Sequence, residues 1–332
     1  MSWIYVTEAG ARLYKKGGRY VISREKEVLC EIPAAAVEGA AVMDHVQVSA
    51  AVLVDFLQRG LPFTWLSSRG EYYGRLESTM HQDVLRQQKQ FALREDKEFS
   101  KALSRIVIFD KIYNQMTVLR RYNRTARSDD IEQAIRNIRA IADKLHQAED
   151  TEDIMGYEGI IARCYFQALG SIVPEAFRFG KRTRQPPKDP FNSLLSFGYT
   201  LLMYDFYTAI TQVGLHPYVG FLHALRNGHP ALASDLMEPW RPAVVDSMCL
   251  SLVSRKEIRP EHFQTSETNG GVYLDRVGRR IFLKSYEKRM QAGSKYFGGT
   301  YSWRHTILMQ LRSFSLAMEK KEISLFKPLV IR

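Results

Sequence analysis

Near His81 the spacing of apolar residues changes from two to 3.6, and this switch limits the fold more than any other feature of the sequence. Before it, short alternating runs separated by turns read as strands: Trp3 to Thr7, Arg12 to Lys15, Arg19 to Ser23, Val28 to Ile32 and Val37 to Val42, with Lys16-Gly17-Gly18 as a hairpin turn. Ser49 stands where an N-cap would open one amphipathic helix through Arg59, Gly60 stops it, and Phe63 to Leu66 returns to strand. After the switch, Phe99, Leu103, Ile106, Phe109, Tyr113 and Met116 form one stripe that predicts a long helix. Ser128-Asp129-Asp130 begins another helix, and Asp150 to Asp153 reads as an acidic connection. Pro190-Phe-Asn192-Ser193 opens a helix to Gly214, Gly270 to Leu283 reads as an irregular hairpin, and Trp303 to Lys320 as a last amphipathic helix. The expected class is α+β: a small β-rich domain over residues 1–80, then a larger all-α domain over residues 81–332.

Charge narrows the partners. The 332 residues carry 47 Lys and Arg against 36 Asp and Glu, a formal net charge of +11, which favours an anionic partner such as nucleic acid. Cys30, Cys164 and Cys249 lie too far apart for a Cys-x-x-Cys site and are too few for a disulfide framework, which fits a reducing compartment. No apolar run reaches the ~20 residues of a membrane span, and the opening Met-Ser-Trp-Ile-Tyr-Val has no basic n-region. A cytoplasmic location away from membranes is expected.

Chemistry concentrates between Gly156 and Arg241. Glu158 is followed at helical spacing by Ile161, Tyr165 and Leu169, so it projects toward an apolar side. A carboxylate there costs several kcal/mol, of the order given for buried polar groups, unless it is paired, hydrogen-bonded or bound to metal. Between Pro217 and Arg241 stand His223, Asp235 and Glu238, the last two three residues apart on one short helix and therefore on one face. One imidazole nitrogen and several carboxylate oxygens suit Mn²⁺ or Mg²⁺ better than zinc. Taken singly, each has an ordinary explanation: an ion pair for Glu158, a helix N-terminal charge arrangement for Asp235 and Glu238, a core histidine for His223. The run Arg178 to Lys188, with five cations and no acid, lies between them and suits phosphate contacts.

Gly156-Tyr-Glu158-Gly159, the run from Arg182 and Arg184 through Asp189-Pro190-x-Asn192 to Ser196-Phe-Gly-Tyr199, Pro217-x-x-Gly220-Phe-Leu-His223, and Asp235-Leu-Met-Glu238-x-x-Arg241-Pro242 together resemble the CRISPR-associated integrase of spacer acquisition. The likeness covers nearly the whole chain. It implies a metal-dependent DNA endonuclease and integrase whose Mg²⁺ or Mn²⁺ is held by Glu158, His223 and Asp235, with Glu238 as support. It further implies that Asn192, Tyr199 and Arg241 position the site. The expected phosphate contacts are Lys181, Arg182 and Arg184, with Arg86 and Lys89 on the long helix. The implied partners are double-stranded DNA, as incoming duplex and repeat array, a second copy joined through the β domains, and a dimer of a small ferredoxin-like protein. The implied reaction is attack of a 3′-hydroxyl on a phosphodiester, with the metal relieving charge in the transition state. Two other readings stand beside it. His223-Ala-Leu-Arg226 is a fragment of the tyrosine-recombinase pattern, with Tyr273 as the nucleophile, but that chemistry has no use for Glu158 and Asp235. A basic, non-enzymatic DNA-binding scaffold would keep the charge and leave the acidic cluster structural.

Overall fold

The computed structural model describes residues 2–79, 82–296 and 298–331, so the switch read near His81 lies outside the described residues. The chain divides into two compact units, Met1–Gln82 and Asp83–Arg332.

The first unit contains β1 (Ser2–Val6), β2 (Ala11–Lys16), β3 (Arg19–Arg24), β4 (Glu27–Pro33), β5 (Val37–Met43), β6 (Gln47–Val48), α1 (Ala50–Gln58), β7 (Phe63–Leu66) and β8 (Tyr72–Leu76). They form two four-stranded sheets, ordered β1-β5-β7-β8 and β4-β3-β2-β6. In β2 the alternation is visible directly, with Ala11 and Leu13 buried and Arg12 exposed. The core gathers Ile4, Val6, Leu13, Tyr20, Val42, Phe56 and Phe63. Ser49 does occupy the N-cap position of α1, but its hydroxyl makes no capping bond.

The second unit contains α2 (Val84–Arg94), α3 (Lys97–Ala126), α4 (Asp129–Ala142), α5 (Thr151–Ile172), α6 (Pro190–Gln212), α7 (Ala231–Leu236), a π-helical turn (Arg241–Asp246) and α8 (Ser247–Ser254). Beyond these come β9 (Phe263–Thr265), β10 (Val272–Leu274), α9 (Arg276–Gln291), β11 (Gly293–Tyr296), β12 (Gly299–Ser302) and α10 (Trp303–Lys320). Three aspartates move boundaries away from the sequence expectation, each by accepting a backbone N–H as an N-cap. Asp96 accepts from Phe99 N at 3.0 Å and splits the expected long helix into α2 and α3. Asp150 accepts from Asp153 N at 2.9 Å, so the acidic connection is the start of α5. Asp275 accepts from Gly278 N at 2.7 Å and starts α9, which confines the hairpin to β9 and β10.

α3 is the spine of this unit and packs against α4, α5 and the π-helical turn. Its buried face carries Leu103, Val107, Ile108, Ile112, Val118 and Leu119, and also the polar Lys111, Asn114 and Gln115. Polar groups at such positions require partners, and those of Lys111 and Asn114 belong to the site. Among the described residues no helix is long and apolar enough to cross a membrane.

Candidate metal centre

His223 lies in the loop before α7, and Asp235 lies on α7. Asp235 is 1% exposed, and both of its oxygens are engaged. Oδ2 accepts from Phe221 N at 2.6 Å and Leu222 N at 3.0 Å, while Oδ1 accepts from His223 N at 3.0 Å and faces His223 Nδ1 at 2.6 Å. This wrapping requires glycine at 220, where an added Cβ would stand 2.6 Å from Asp235 Oδ2 and 2.8 Å from the Ala231 backbone. A carboxylate can only accept, so it fixes Nδ1 as the protonated nitrogen and leaves Nε2 as the one able to bind a cation. Burial alone would push the imidazole pKa down, but the hydrogen bond and charge of Asp235 outweigh burial and hold it above its usual value. The ring of His229 stands 5.9 Å from that of His223, and burial, then the charge of His223, hold its pKa down.

Glu158 on α5 and Glu238 in the turn after α7 meet at a single cation, Lys111 of α3. Lys111 Nζ lies 2.5 Å from Glu158 Oε1 and 2.6 Å from Glu238 Oε2. Glu238 Oε2 is nonetheless without a well-aligned hydrogen bond, although it is buried. Its other oxygen, Oε1, is 3.3 Å from Arg241. Burial would raise the pKa of Glu238, yet Arg241 and Lys111 bring it down to about 2. Burial likewise works against the Lys111 ammonium, and Glu238 and Glu158 outweigh it and raise its pKa. Among the described residues no three His, Cys, Asp or Glu side chains form a ready-made cation site; here the lysine ammonium stands between the two carboxylates. The donor chemistry fits a hard divalent ion all the same: two carboxylates already turned to one positive charge, an unsatisfied buried oxygen, and an imidazole with Nδ1 committed.

Behind Glu238 lies a second polar layer. Asp246 accepts from Tyr199 at 2.5 Å and Tyr165 at 2.7 Å. The guanidinium groups of Arg241 and Arg182 lie 5.0 Å and 5.5 Å from the centre of the Tyr199 ring, within cation–π reach. Burial pushes the Arg182 guanidinium down to about 10, which leaves it charged at neutral pH. Asn192 arranges the preceding loop: its Oδ1 accepts from Arg182 at 2.8 Å and Thr183 N at 3.1 Å, and its Nδ2 donates to Lys181 O at 3.0 Å.

The expected site residues thus separate. Glu158, His223, Asp235, Glu238 and Arg241 converge, and Asn192, Arg182 and Tyr199 form the adjoining layer. Lys181, Arg184 and Lys89 are exposed. Arg86 is committed elsewhere, donating to Val213 O at 2.6 Å and Glu319 at 2.8 Å, which argues against its expected phosphate contact. Tyr273 sits on β10 and accepts a hydrogen bond from Asn269. Sequence reasoning passed over Lys111, Tyr165, Asp246 and His229. Lys111 alone left a signal, a charge on the buried face of α3 between Val107 and Val118.

The family model described as CRISPR associated protein Cas1 matches residues 4–288. The chain belongs to the Cas1 family. A curated relative from Thermus thermophilus, named CRISPR-associated endonuclease Cas1 3, is 35% identical over 313 residues, covering 93% of this chain and 91% of that protein. Among solved structures, a casposase bound to integration product has a TM-score of 0.83 at 22% identity, covering 97% of this chain and 91% of that one. A chain of a Cas6-RT-Cas1–Cas2 complex has a TM-score of 0.84 at 23% identity; the match covers 99% of this chain and 36% of that longer one. These two similarities show the fold. Membership places the chain among CRISPR-associated proteins whose curated relatives are named endonucleases.

Proposed function

We propose that this Cas1-family enzyme binds its divalent ion with Glu158, His223 and Glu238, and inserts short DNA duplexes into a CRISPR repeat array. The observation that carries this ligand set is the division of labour between the two acids on and after α7. Asp235 has both oxygens engaged in hydrogen bonds within its own loop, whereas Glu238 turns to the cation that Glu158 also faces. Asp235 is then the residue that orients His223 rather than a ligand, as carboxylates commonly do for metal-binding histidines. Glu238 is a ligand rather than a support.

Held by Glu158, His223 and Glu238, an Mg²⁺ or Mn²⁺ ion would supply Lewis-acid relief of charge at a phosphodiester under attack by a hydroxyl, and the imidazole nitrogen would suit Mn²⁺. The chain's own residues do the rest. Lys111 balances the charge of the two glutamates, Asp235 keeps Nε2 of His223 free for the ion, and Arg241 supplies positive charge beside it for phosphate oxygens, while Arg182, tied to Asn192 and Ser196, holds the adjoining layer. Exposed Lys181, Arg184 and Lys89 extend that charge along the DNA backbone. Tyr165 and Tyr199 are poor nucleophiles: their hydroxyls donate to Asp246, and burial holds both pKa values well above normal. Neither of these two hydroxyls is therefore suited to form a covalent tyrosine intermediate.

The proposed working form is cytoplasmic and homodimeric, joined through the β domain of residues 1–80, and assembled with a small ferredoxin-like partner dimer on double-stranded DNA. The fold shared with a chain of a Cas6-RT-Cas1–Cas2 complex supports a protein partner, and that shared with a casposase bound to integration product supports DNA as the substrate. The test is joining of a short 3′-hydroxyl duplex to a plasmid carrying a repeat array, with the small partner present. Joining should require Mn²⁺ or Mg²⁺ and disappear in Glu238→Gln. Joining that persists in EDTA would overturn the metal mechanism.

A further inference from the structure

We infer that three buried amide side chains, Gln90, Asn114 and Gln310, are positioning residues that set where His223 and Glu238 stand. This rests on the ligand set proposed above. All three are 0% exposed, and an amide so placed is costly unless its hydrogen bonds are made. Each directs them at the main chain or indole of a segment that carries a proposed ligand.

Gln90 of α2 closes the entry to the His223 loop. Its Nε2 donates to His216 O at 2.9 Å and Val219 O at 2.7 Å, and its Oε1 accepts from His216 N at 2.8 Å. The other two hold the turn that carries Glu238. Gln310 of α10 accepts from Trp240 Nε1 at 2.8 Å and donates to Leu236 O at 3.3 Å. Asn114, one turn beyond Lys111 on α3, donates to Pro239 O at 2.7 Å. Glu238 is therefore fastened on both sides.

The local chain explains why outside donors are needed. Leu236 O would be met by Trp240 N in a continuing α-helix, but that N–H bonds to Met237 O at 2.9 Å instead. Pro239 and Pro242 bring no N–H of their own. The turn mixes i→i−3 bonds (Glu238 N to Asp235 O, Trp240 N to Met237 O) with an i→i−4 bond (Arg241 N to Met237 O), and directional hydrogen bonds from α3 and α10 meet the Leu236 and Pro239 carbonyls. An apolar side chain of equal size would fill the space without fixing the rotation of the turn. Asn114 adds a further link, donating to Leu329 O at 2.9 Å and accepting from Ile331 N at 2.9 Å. The segment after α10 is thus fixed to the same point as Glu238.

The test uses the full chain and the variants Gln310→Met, Asn114→Leu and Gln90→Met, with Ile138→Ala as a core truncation on α4. Mn²⁺ affinity is measured by electron paramagnetic resonance at a temperature where each variant keeps its wild-type circular dichroism. The amide variants should bind Mn²⁺ about tenfold more weakly, at the low end of the effect of losing a residue that orients a metal ligand. Ile138→Ala should lose stability and keep its Mn²⁺ affinity. Affinity within about twofold of wild type in every amide variant that folds would overturn the inference and leave these residues purely structural. Glu238→Gln separates the two levels of argument. If it abolishes binding while the amide variants bind normally, the ligand set stands and the positioning role falls; if it binds like wild type, both fall.

Discussion

His223 and Asp235 lie 12 residues apart and are held by a closed set of hydrogen bonds, whereas Glu158, Lys111 and Glu238 come from three separate segments and are held by charge. Hydrogen bonds are directional and short-ranged, so the first group keeps its geometry whatever cation is present. An ionic group depends on the balance of charge, and removing one partner from a buried set costs far more than the set contributes. The comparison teaches that the two groups meet different needs of a metal site. One fixes the direction of a ligand, and the other brings two acids together before an ion arrives.

The largest expected effect breaks the ionic group. Lys111→Met leaves buried Glu238 and half-buried Glu158 without their shared cation and should destabilise the metal-free protein by about 3 kcal/mol, the low end for breaking a buried pair. Saturating Mn²⁺ should restore much of that loss, seen as a larger gain in urea midpoint for the variant than for wild type. Asp235→Ala should cost about 1–3 kcal/mol for each backbone N–H left without an acceptor, and Mn²⁺ should not repair it. Equal rescue of both variants in the same urea titration would erase the distinction between the two groups.

A smaller effect concerns Asp246, which belongs to neither. Burial raises its pKa from 3.8 to about 6 against the pull of the two tyrosine hydroxyls. A folded pKa above the unfolded one contributes stability that is fully present below pH 3.8 and lost as the pH rises through about 6. Wild type should therefore gain, relative to Asp246→Asn, on the order of 2 kcal/mol as the pH falls from 7 to 4, measured by denaturation at each pH. Parallel pH profiles would contradict this. Smallest is the effect of surface charge: Arg184→Ala should lower the slope of log affinity against log salt for DNA by about 1. Arg86→Ala should leave that slope unchanged and weaken folding instead, because its guanidinium is tied to Val213 and Glu319.

The same contrast explains what could be read from the chain. His223 and Asp235 share one short stretch, Pro217 to Arg241, so sequence brings them together, and the alternation of β2 was legible for the same local reason. The stripe read on α3 was placed wrongly after Leu103: Ile106, Phe109 and Met116 are half-buried and Tyr113 is exposed, while Val107, Ile108 and Ile112 face the core. The roles of Asp235 and Glu238 were not legible, because one turn of helix decides which carboxylate meets the backbone of residues 221–223 and which meets α3. Lys111 stands 47 residues from Glu158 in sequence, and only the packing of α3 on α5 joins them. The Asp96 break between α2 and α3 was hidden because a capping aspartate inside a charged run looks like any other surface acid. β6, two residues long, is too short for alternation to mark.

The most direct test of the proposed ligand set is anomalous diffraction from crystals of the chain grown with Mn²⁺. The account predicts one strong peak in contact with Glu158, Glu238 and Nε2 of His223, with Asp235 still bonded to Nδ1 and to the backbone of residues 221–223. A peak in contact with Asp235, with Glu238 turned away to Lys111 and Arg241, would contradict it.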